Sequence, residues 1–478
     1  MHNSKKALAL FLSLAGMASL AGCKKSGDST SAGEEDYDTP MSEKVTITFD
    51  TNRTDLDTSG KFTEYIKSFN AVEPNITVKI QSYTSYKDDE KKKVVAKTNG
   101  AVSMIPIDDN DQLSTYYDSL GKYVDLAATG KYRNAYLTAK YYKGEVYGIP
   151  GSNTVGGVAY NKAIFKAAGL DTTTMTTPDT FIAGLKKIKD YNETRTDGKT
   201  TIPYYTNGKD GWCMEQFEDH LCNDVLHGDA DYHNTYMAGD QNVFSKDAPN
   251  GDAHYLAGKM FFNLIDQGLT EADPTTTDWE GSKLKIANGT IGCMVMGNWA
   301  ISQFQGVAKD NNLDPNDIGY MPFPFTAKDG KQYANSGADY CYGLKKSASD
   351  KEKSAGKRFI KWMVEKSKFA VNEGCISSWA ADGMPDNLSA FSNCTMFTSN
   401  PAKEGAEKCL GLTETLAGQK CYDGGARFSQ IISDAKLEGK TSEERMAAFD
   451  ADMKKWNDSW KAAAKSIGEQ YPVVVKAA

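Results

Sequence analysis

Two periodicities of apolar residues alternate along the chain, and each predicts a different kind of element. Residues 45–49 (VTITF) and 76–80 (ITVKI) alternate apolar and polar side chains, which is the period of a half-buried strand. Between these runs, four apolar residues recur at the spacing of one helix face: Phe62, Tyr65, Ile66 and Phe69. Strand, helix and strand in this order predict parallel pairing, with the helix packed on the sheet.

The same order of elements continues through the chain. Residues 101–107 (AVSMIPI) form a continuous apolar run, as expected of a buried parallel strand. Two more runs, 145–150 (EVYGIP) and 154–161 (TVGGVAYN), predict extended segments, and the helix after them is expected to stop near Gly169. Residues 441–444 (TSEE) are a capping-box pattern before the last helix. The apolar face of that helix is Met446, Phe449, Met453, Trp456 and Trp460. The predicted fold class is α/β, with mainly parallel sheets flanked by helices.

The first 43 residues follow a different pattern. Lys5 and Lys6 precede an apolar segment over residues 7–21, which is shorter than the ~20 residues of a membrane span and is typical of an export signal. The segment ends in Leu-Ala-Gly-Cys at residues 20–23, which resembles the lipobox of bacterial lipoproteins. That resemblance implies a signal peptide over residues 1–22 and acylation of Cys23 with fatty acids such as palmitate. Residues 23–43 are polar and acidic and predict a flexible tether.

Composition limits the class of protein. The chain has 478 residues, of which 40% are hydrophobic, and no run after the signal is apolar enough to cross a membrane. This length predicts two or three domains. The net charge of −8 argues against a nucleic-acid partner, which would favour a basic surface. Eight cysteines besides Cys23 leave disulfide pairing open, and we expect a monomer.

Acidic residues offer the clearest candidates for metal binding and catalysis. Residues 55–60 (DLDTSG) begin like a calcium loop, but Ile66 stands where the loop needs a glutamate, so we expect a polar loop. Asp108 and Asp109 offer the two carboxylates of a glycosidase, although the sequence does not fix their separation. The common hydrolase, metalloprotease and phosphate-loop motifs are absent. We predict no metal, no cofactor and no catalytic residue.

One family resemblance is carried by the middle of the chain. KGEVYGIP (143–150) followed by GGVAYNKAIFKAAGL (156–170) resembles the extracellular solute-binding proteins of ABC importers, of the maltose-binding-protein type (family 1). Four more segments match that family in order: TPDTFIAGLKKIK (177–189), KLKIANGTIGCMVMGNWA (283–300), DIGYMPFP (317–324) and GKRFIKWMVEK (356–366). Residues 102–110 and 207–256 depart from the family pattern.

The resemblance implies two α/β lobes joined by hinge strands, with a ligand in the cleft between them. The first lobe would hold residues 44–149 and 325–375, and the second residues 150–322 and 376–478. Closure of the lobes would bury the ligand and present the protein to a membrane permease.

A sugar ligand would need aromatic rings for its C–H faces and polar side chains for its hydroxyls. The resemblance implies such a role for Trp299 with its neighbour Asn298, while Trp212 and Trp379 are expected in loops that carry sites. Polar contacts are expected from the loops after the strands. The full set of expected ligand contacts is Trp299, Asn298, Trp212, Trp379, Arg53, Asp55, Asp57, Asp108, Asp109, Asp339 and Tyr340.

The sequence therefore favours a lipid-anchored extracytoplasmic receptor that binds a carbohydrate, preferably an oligosaccharide, and delivers it to an ABC permease. Two alternatives stay open. One is a membrane-tethered, secreted glycan hydrolase or lyase, and the other is a receptor for a polyamine, a peptide or an anion.

Overall fold

A computed structural model describes residues 39–217, 229–247, 253–327, 329–421 and 425–476. The described residues from Pro40 onward form one compact unit. The predicted signal peptide, Cys23 and the tether up to residue 38 lie outside the described residues. In the described ranges, no helix combines the length and the apolar character that a membrane crossing requires.

Strands of the described chain lie throughout its first four-fifths. They are β1 (Val45–Thr51), β2 (Ile76–Ser82), β3 (Val102–Met104), β4 (Tyr117–Asp118), β5 (Gly121–Lys122), β6 (Lys140–Tyr142), β7 (Glu145–Pro150), β8 (Asn153–Asn161), β9 (Ile202–Tyr204), β10 (Ile291–Gly297), β11 (Ile318–Met321), β12 (Tyr333–Ala338), β13 (Cys341–Lys345) and β14 (Thr395–Phe397).

Helices occupy most of the connections and the C-terminal part. They are α1 (Thr54–Thr58), α2 (Lys61–Asn70), α3 (Tyr86–Ala96), α4 (Leu113–Tyr116), α5 (Tyr123–Ala128), α6 (Lys162–Ala167), α7 (Pro178–Thr194), α8 (Ala253–Asp266), α9 (Trp279–Ala287), α10 (Trp299–Asp310), α11 (Asp350–Glu365), α12 (Phe369–Asn372), α13 (Cys409–Ala417), α14 (Ala426–Ala435) and α15 (Ser442–Gln470). Residues 211–217 are also helical.

Local signals in the sequence explain several of these boundaries. Thr177 caps α7 and Thr441 caps α15, each with a reciprocal capping box, so the predicted start of the last helix is confirmed. Gly169 adopts φ +68° just after α6, in the left-handed region where glycine costs little. Strand β3 spans three residues rather than the predicted seven, and Pro106 lacks the backbone N–H that would extend its ladder.

The strands form two sheets. The first has the order β2-β1-β3-β13-β7-β5, and the second has the order β14-β12-β8-β10-β9, with β11 paired to β8. Pairs β1–β2 and β1–β3 are parallel, but β13 runs antiparallel to both β3 and β7. In the second sheet β8 is antiparallel to β10, β11 and β12. The prediction of mainly parallel sheets is therefore wrong: both sheets are mixed, because strands entering from the other sheet run against their neighbours.

The chain passes between the two sheets at three places. It crosses from β7 to β8 at residues 150–153 and returns from β12 to β13 at residues 338–341. The third crossing is residues 373–376, where Ile376 and Asn153 exchange backbone hydrogen bonds of 2.9 Å in both directions. Strand β12 pairs with β8 and β14, so it belongs to the second sheet. The expected lobe boundary at residue 325 does not match the sheets, since the chain changes sheet only after Ala338.

Each sheet carries its own apolar core. Phe49 of β1 contacts the rings of Phe62 and Phe359, which belong to the helices α2 and α11 on the first sheet. The core of the second sheet includes Trp460, which is fully buried on α15. Trp456 and Trp362 are partly buried against the two cores, so the prediction that Trp456 and Trp460 lie on the apolar face of the last helix is confirmed.

Candidate ligand-binding site

Arg53 is the centre of a polar group at the end of β1. Its Nε donates to Asp55 Oδ1 at 2.8 Å and its Nη2 to Asp55 Oδ2 at 2.7 Å. Nη2 also lies 3.3 Å from Glu373 Oε2, at the third crossing. Lys61 Nζ reaches the other oxygen of Glu373 at 3.4 Å. These contacts fix the guanidinium on two sides, so its position is set before any ligand arrives.

Electrostatics keep this group charged. Desolvation alone would raise the pKa of Asp55, but the hydrogen bonds and charge of Arg53 outweigh it, and the pKa of Asp55 is lowered. For Arg53 desolvation acts downward, yet Asp55, Glu373 and Asp339 together raise its pKa. The Arg53–Asp55 pair therefore stays charged across the neutral pH range.

Asp339 and Tyr340 form the second crossing and extend this polar edge. Asp339 is exposed by surface area, yet protein atoms surround it so closely that desolvation raises its pKa, against the charge of Arg53. A side chain that is both exposed and closely surrounded lies in a concave surface. Desolvation and the charges of Asp339 and Asp108 raise the pKa of Tyr340 to about 12, so its hydroxyl keeps its proton. Its ring packs edge-on against Tyr86 with centroids 5.6 Å apart.

A cavity of about 370 Å³ lies beside this crossing, between the two sheets. Residues from both sides line it, among them Lys87, Asp108, Lys140, Asp339, Tyr340 and Thr398. Asp108 pairs with Lys87 at 3.0 Å. The volume falls within the range of small-molecule pockets, about 300–1,000 Å³.

Three tryptophans form an aromatic group at the second sheet, which we call the tryptophan cluster: Trp212, Trp279 and Trp299. Trp299 begins α10 directly after β10 and is half-buried. Its ring centroid lies 6.1 Å from that of Trp212 with the planes tilted by 36°. Trp279 packs edge-on against both, at 5.7 and 5.3 Å. Trp212 is 40% exposed, so the cluster offers an aromatic surface to solvent.

Asn298 links the tryptophan cluster to the third crossing. Its Oδ1 accepts from the backbone N–H of Val155 at 2.9 Å, and its Nδ2 donates to the carbonyl of Gly374 at 2.8 Å. Asn298 is completely buried. Both ends of its amide are thus used within the fold, and ligand contact by Asn298 stays a prediction.

Three other predicted residues use their side chains in other contacts. Asp57 accepts from Ser82 Oγ at 2.7 Å, and Asp109 from Gln112 Nε2 at 2.9 Å. Trp379 packs edge-on against Tyr132 with centroids 5.5 Å apart, and its carbonyl accepts from Arg133. The structure therefore does not bring Trp379 to the tryptophan cluster, and ligand contact by these three side chains stays a prediction.

Sequence reasoning missed Glu373 and Trp279. Glu373 lies in the sequence VNEG, which reads as a polar helix end, and its partner Arg53 is 320 positions away in the chain. Trp279 follows the helix cap Asp278 and resembles a core residue at a helix start. Its backbone N–H donates to Asp210 Oδ2 at 2.7 Å, which fixes α9 against the segment that carries Trp212.

We find no metal centre and no thiol centre in the described part of the chain. No group of three or more metal-ligating side chains occurs there. Cys213, Cys293, Cys341, Cys375 and Cys409 are buried free thiols. Burial raises the pKa of Cys375 and Cys341 to about 12, so both thiols stay protonated.

Two mixed sheets, three crossings and a cleft lined by polar and aromatic groups agree with the family suggested by the sequence. The sequence profile of the bacterial extracellular solute-binding proteins matches residues 64–372. This protein belongs to that family.

Three known proteins are similar to this chain over most of its length. The multiple sugar-binding protein of Streptococcus mutans is 25% identical over 362 residues, which cover 74% of this chain and 77% of that protein. Two similar structures are binding proteins from Bifidobacterium animalis subsp. lactis, one belonging to an ABC transporter and bound to mannobiose, the other specific for manno-oligosaccharides and bound to mannotriose. The first is 35% identical with a TM-score of 0.77, covering 88% of this chain and 95% of its own. The second is 34% identical with a TM-score of 0.77, covering 89% and 95%.

A more distant structure shares the fold alone. It is a solute-binding protein in complex with raffinose, 17% identical, with a TM-score of 0.62 over 88% of this chain and 99% of its own. The predicted two-lobed, periplasmic-binding-protein-like fold is thus confirmed.

Proposed function

We propose that this protein is a lipid-anchored extracytoplasmic receptor that captures an oligosaccharide in the cleft between its sheets and delivers it to the permease of an ABC importer. It binds and releases its ligand without chemistry. Manno-oligosaccharides are the first ligands to test, since the two relatives that share about a third of their residues with this chain hold mannobiose and mannotriose.

One observation carries the proposal: the fixed polar group and the exposed tryptophan cluster meet at the same crossing segment, residues 373–376. Glu373 holds Arg53, and the next residue, Gly374, holds Asn298 beside Trp299. Sugar rings offer hydroxyls to the first group and C–H faces to the second. The guanidinium of Arg53 would repel a polyamine, and the carboxylates of Asp55 and Asp339 would repel an anion.

A thermal-shift panel tests the ligand class. The protein without its signal, residues 24–478, is melted with mannobiose, mannotriose and raffinose, and with spermidine and a short peptide for comparison. A ligand present at 100 times its Kd adds about 2.7 kcal/mol of stability. We expect a saccharide to raise the melting temperature, whereas a shift with spermidine or peptide alone would reject the carbohydrate assignment.

Mass spectrometry of the recovered ligand separates the receptor from the glycan-active enzyme. The receptor returns the saccharide intact and in a 1:1 ratio with protein. Cleaved product accumulating with time would establish the enzyme instead.

The aromatic surface is tested by Trp212→Ala. This ring is 40% exposed, so its loss should leave the fold intact. We expect saccharide affinity to fall roughly tenfold, about 1.4 kcal/mol. Trp362→Phe, on α11 beside Phe69, is the control and should bind like the unaltered protein.

The anchor is a separate part of the proposal. It rests on the export signal and the lipobox ending at Cys23. Labelling of cells with a palmitate analogue should mark the protein, and Cys23→Ser should abolish the label and release the protein from the membrane fraction. A Cys23→Ser protein that stays labelled and membrane-bound would contradict the anchor without affecting the binding site.

A further inference from the structure

We infer that Glu373 is a positioning residue for ligand binding: it holds Arg53 in the orientation that a saccharide meets, and it does so from the segment that also holds the tryptophan cluster. The inference rests on the proposed receptor function. It concerns a side chain that does not itself touch ligand.

Burial separates Glu373 from the ligand. Its side chain is 3% exposed, although the residue lies between two solvent-facing groups. One carboxylate oxygen faces Arg53 Nη2 at 3.3 Å and the other faces Lys61 Nζ at 3.4 Å. Because the carboxylate is 3% exposed, it is out of reach of a sugar hydroxyl, and its effect on binding must pass through its partners.

Arg53 is the partner that can meet a ligand. Its Nε and Nη2 are occupied by Asp55 and Glu373, while within the described ranges Nη1 has no protein acceptor. The side chain is 11% exposed. With two edges of the planar guanidinium held, the third edge is fixed, and its two N–H donors are available to hydroxyl oxygens in the cleft.

The next residue connects the same segment to the second sheet. The carbonyl of Gly374 accepts from Asn298 Nδ2 at 2.8 Å and from Asn387 Nδ2 at 3.0 Å. Gly374 has φ +73°, and a Cβ there would lie 2.8 Å from Asn387 Nδ2, so a glycine is required. Asn298 in turn precedes Trp299. Two consecutive residues of one hinge segment thus hold the polar group and the tryptophan cluster.

Removing the charge of Glu373 should release Arg53. In Glu373→Gln the amide can still fill the space, but Arg53 and Lys61 lose the buried carboxylate between them. The guanidinium would then lose one of its two supports. The entropy cost of ordering it would have to be met when the ligand binds, which lowers the affinity. We expect saccharide affinity to fall by about 5- to 20-fold, in the range of one weakened charged hydrogen bond.

Titration calorimetry with the tightest binder among mannobiose, mannotriose and raffinose tests the inference in a double-mutant cycle with Arg53→Gln. If Glu373 acts through Arg53, Glu373→Gln weakens binding in the unaltered protein and adds almost nothing in the Arg53→Gln background. A merely structural role of Glu373 would give the same loss in both backgrounds.

The chain supplies a matched control in Glu73. This glutamate is also buried and pairs with an arginine, since its Oε1 lies 2.5 Å from Arg358 Nη1, and both side chains are under 10% exposed. Glu73→Gln should lower the melting temperature and leave the saccharide Kd unchanged. If Glu373→Gln does not fold, Glu373→Asp takes its place in the cycle, because it keeps the charge and shortens the side chain.

The inference is overturned if Glu373→Gln binds as tightly as the unaltered protein, if its loss persists in the Arg53→Gln background, or if Glu73→Gln weakens binding equally. Failure of the proposed function looks different, since then the unaltered protein binds none of the three saccharides.

Discussion

A buried pair of carboxyl groups in the first lobe predicts that stability falls as pH rises. Glu90 on α3 and Asp50 on β1 are both fully buried. Asp50 Oδ2 accepts from the backbone N–H of Gly100 at 2.7 Å. Burial and then the charge of Asp50 raise the pKa of Glu90 from 4.5 to about 8, although Ser103 and Lys93 act in the opposite direction.

The sign follows from proton binding. Between pH 4.5 and about 8 the unfolded chain has released the Glu90 proton and the folded chain still holds it. Stability is therefore fully present below pH 4.5, declines through this window and is lost as pH passes the folded pKa near 8. A shift of this size corresponds to about 5 kcal/mol at most, at about 1.4 kcal/mol per pKa unit.

Glu90→Gln removes the titrating group and keeps the shape of the side chain. Relative to the unaltered protein, its free energy of unfolding should improve by roughly 2–5 kcal/mol between pH 5 and pH 9. Urea unfolding followed by tryptophan fluorescence at pH 5, 6, 7, 8 and 9 measures the difference. Glu64→Gln, at an exposed position of α2, is the control for removal of one charge. Parallel stability curves for Glu90→Gln and the unaltered protein would refute the reasoning.

Two further predictions concern closure and packing. Lys408 Nζ, at the start of α13, lies 3.2 Å from Asp111 Oδ2, which follows β3 of the first sheet, so this ion pair joins the two sides away from the crossings. Lys408→Gln should weaken saccharide binding up to about fivefold at low salt but not at 0.5 M salt, because the Debye length falls from about 10 Å at 0.1 M to about 3 Å at 1 M. Lys454→Gln, from a pair within α15, should do neither, and a salt-independent loss would contradict the role. Trp460→Ala should lower the free energy of unfolding by about 3–5 kcal/mol in urea titrations, because the ring is fully buried, and a change below about 1 kcal/mol would contradict the core assignment.

Local patterns in the sequence predicted the elements well because their causes are local. Alternation identified β1 and β2, and a capping box identified the start of α15. The direction of strand pairing was not predictable in the same way. β12 joins the second sheet through partners as distant as Thr154, and nothing in its own residues states which sheet it enters.

The residues of the candidate site show the same difference between local and long-range causes. Arg53 and Asp339 were predicted as ligand contacts because polar residues after strands reach the edge where ligands bind. Asn298 was given a ligand role through the family resemblance at Trp299, and the hydrogen bonds that bury its amide come from Val155 and Gly374, which are far away in the chain. Glu373 was missed for the converse reason, since only the folded chain places it against Arg53.

The central claim is that the cleft binds a saccharide and returns it unchanged. Titration calorimetry of residues 24–478 with mannotriose, followed by mass spectrometry of the released ligand, tests it most directly. The account predicts saturable 1:1 binding, weakened by Trp212→Ala, with mannotriose recovered intact. Absence of binding by mannotriose, mannobiose and raffinose, together with tight binding of spermidine or a peptide, would contradict it.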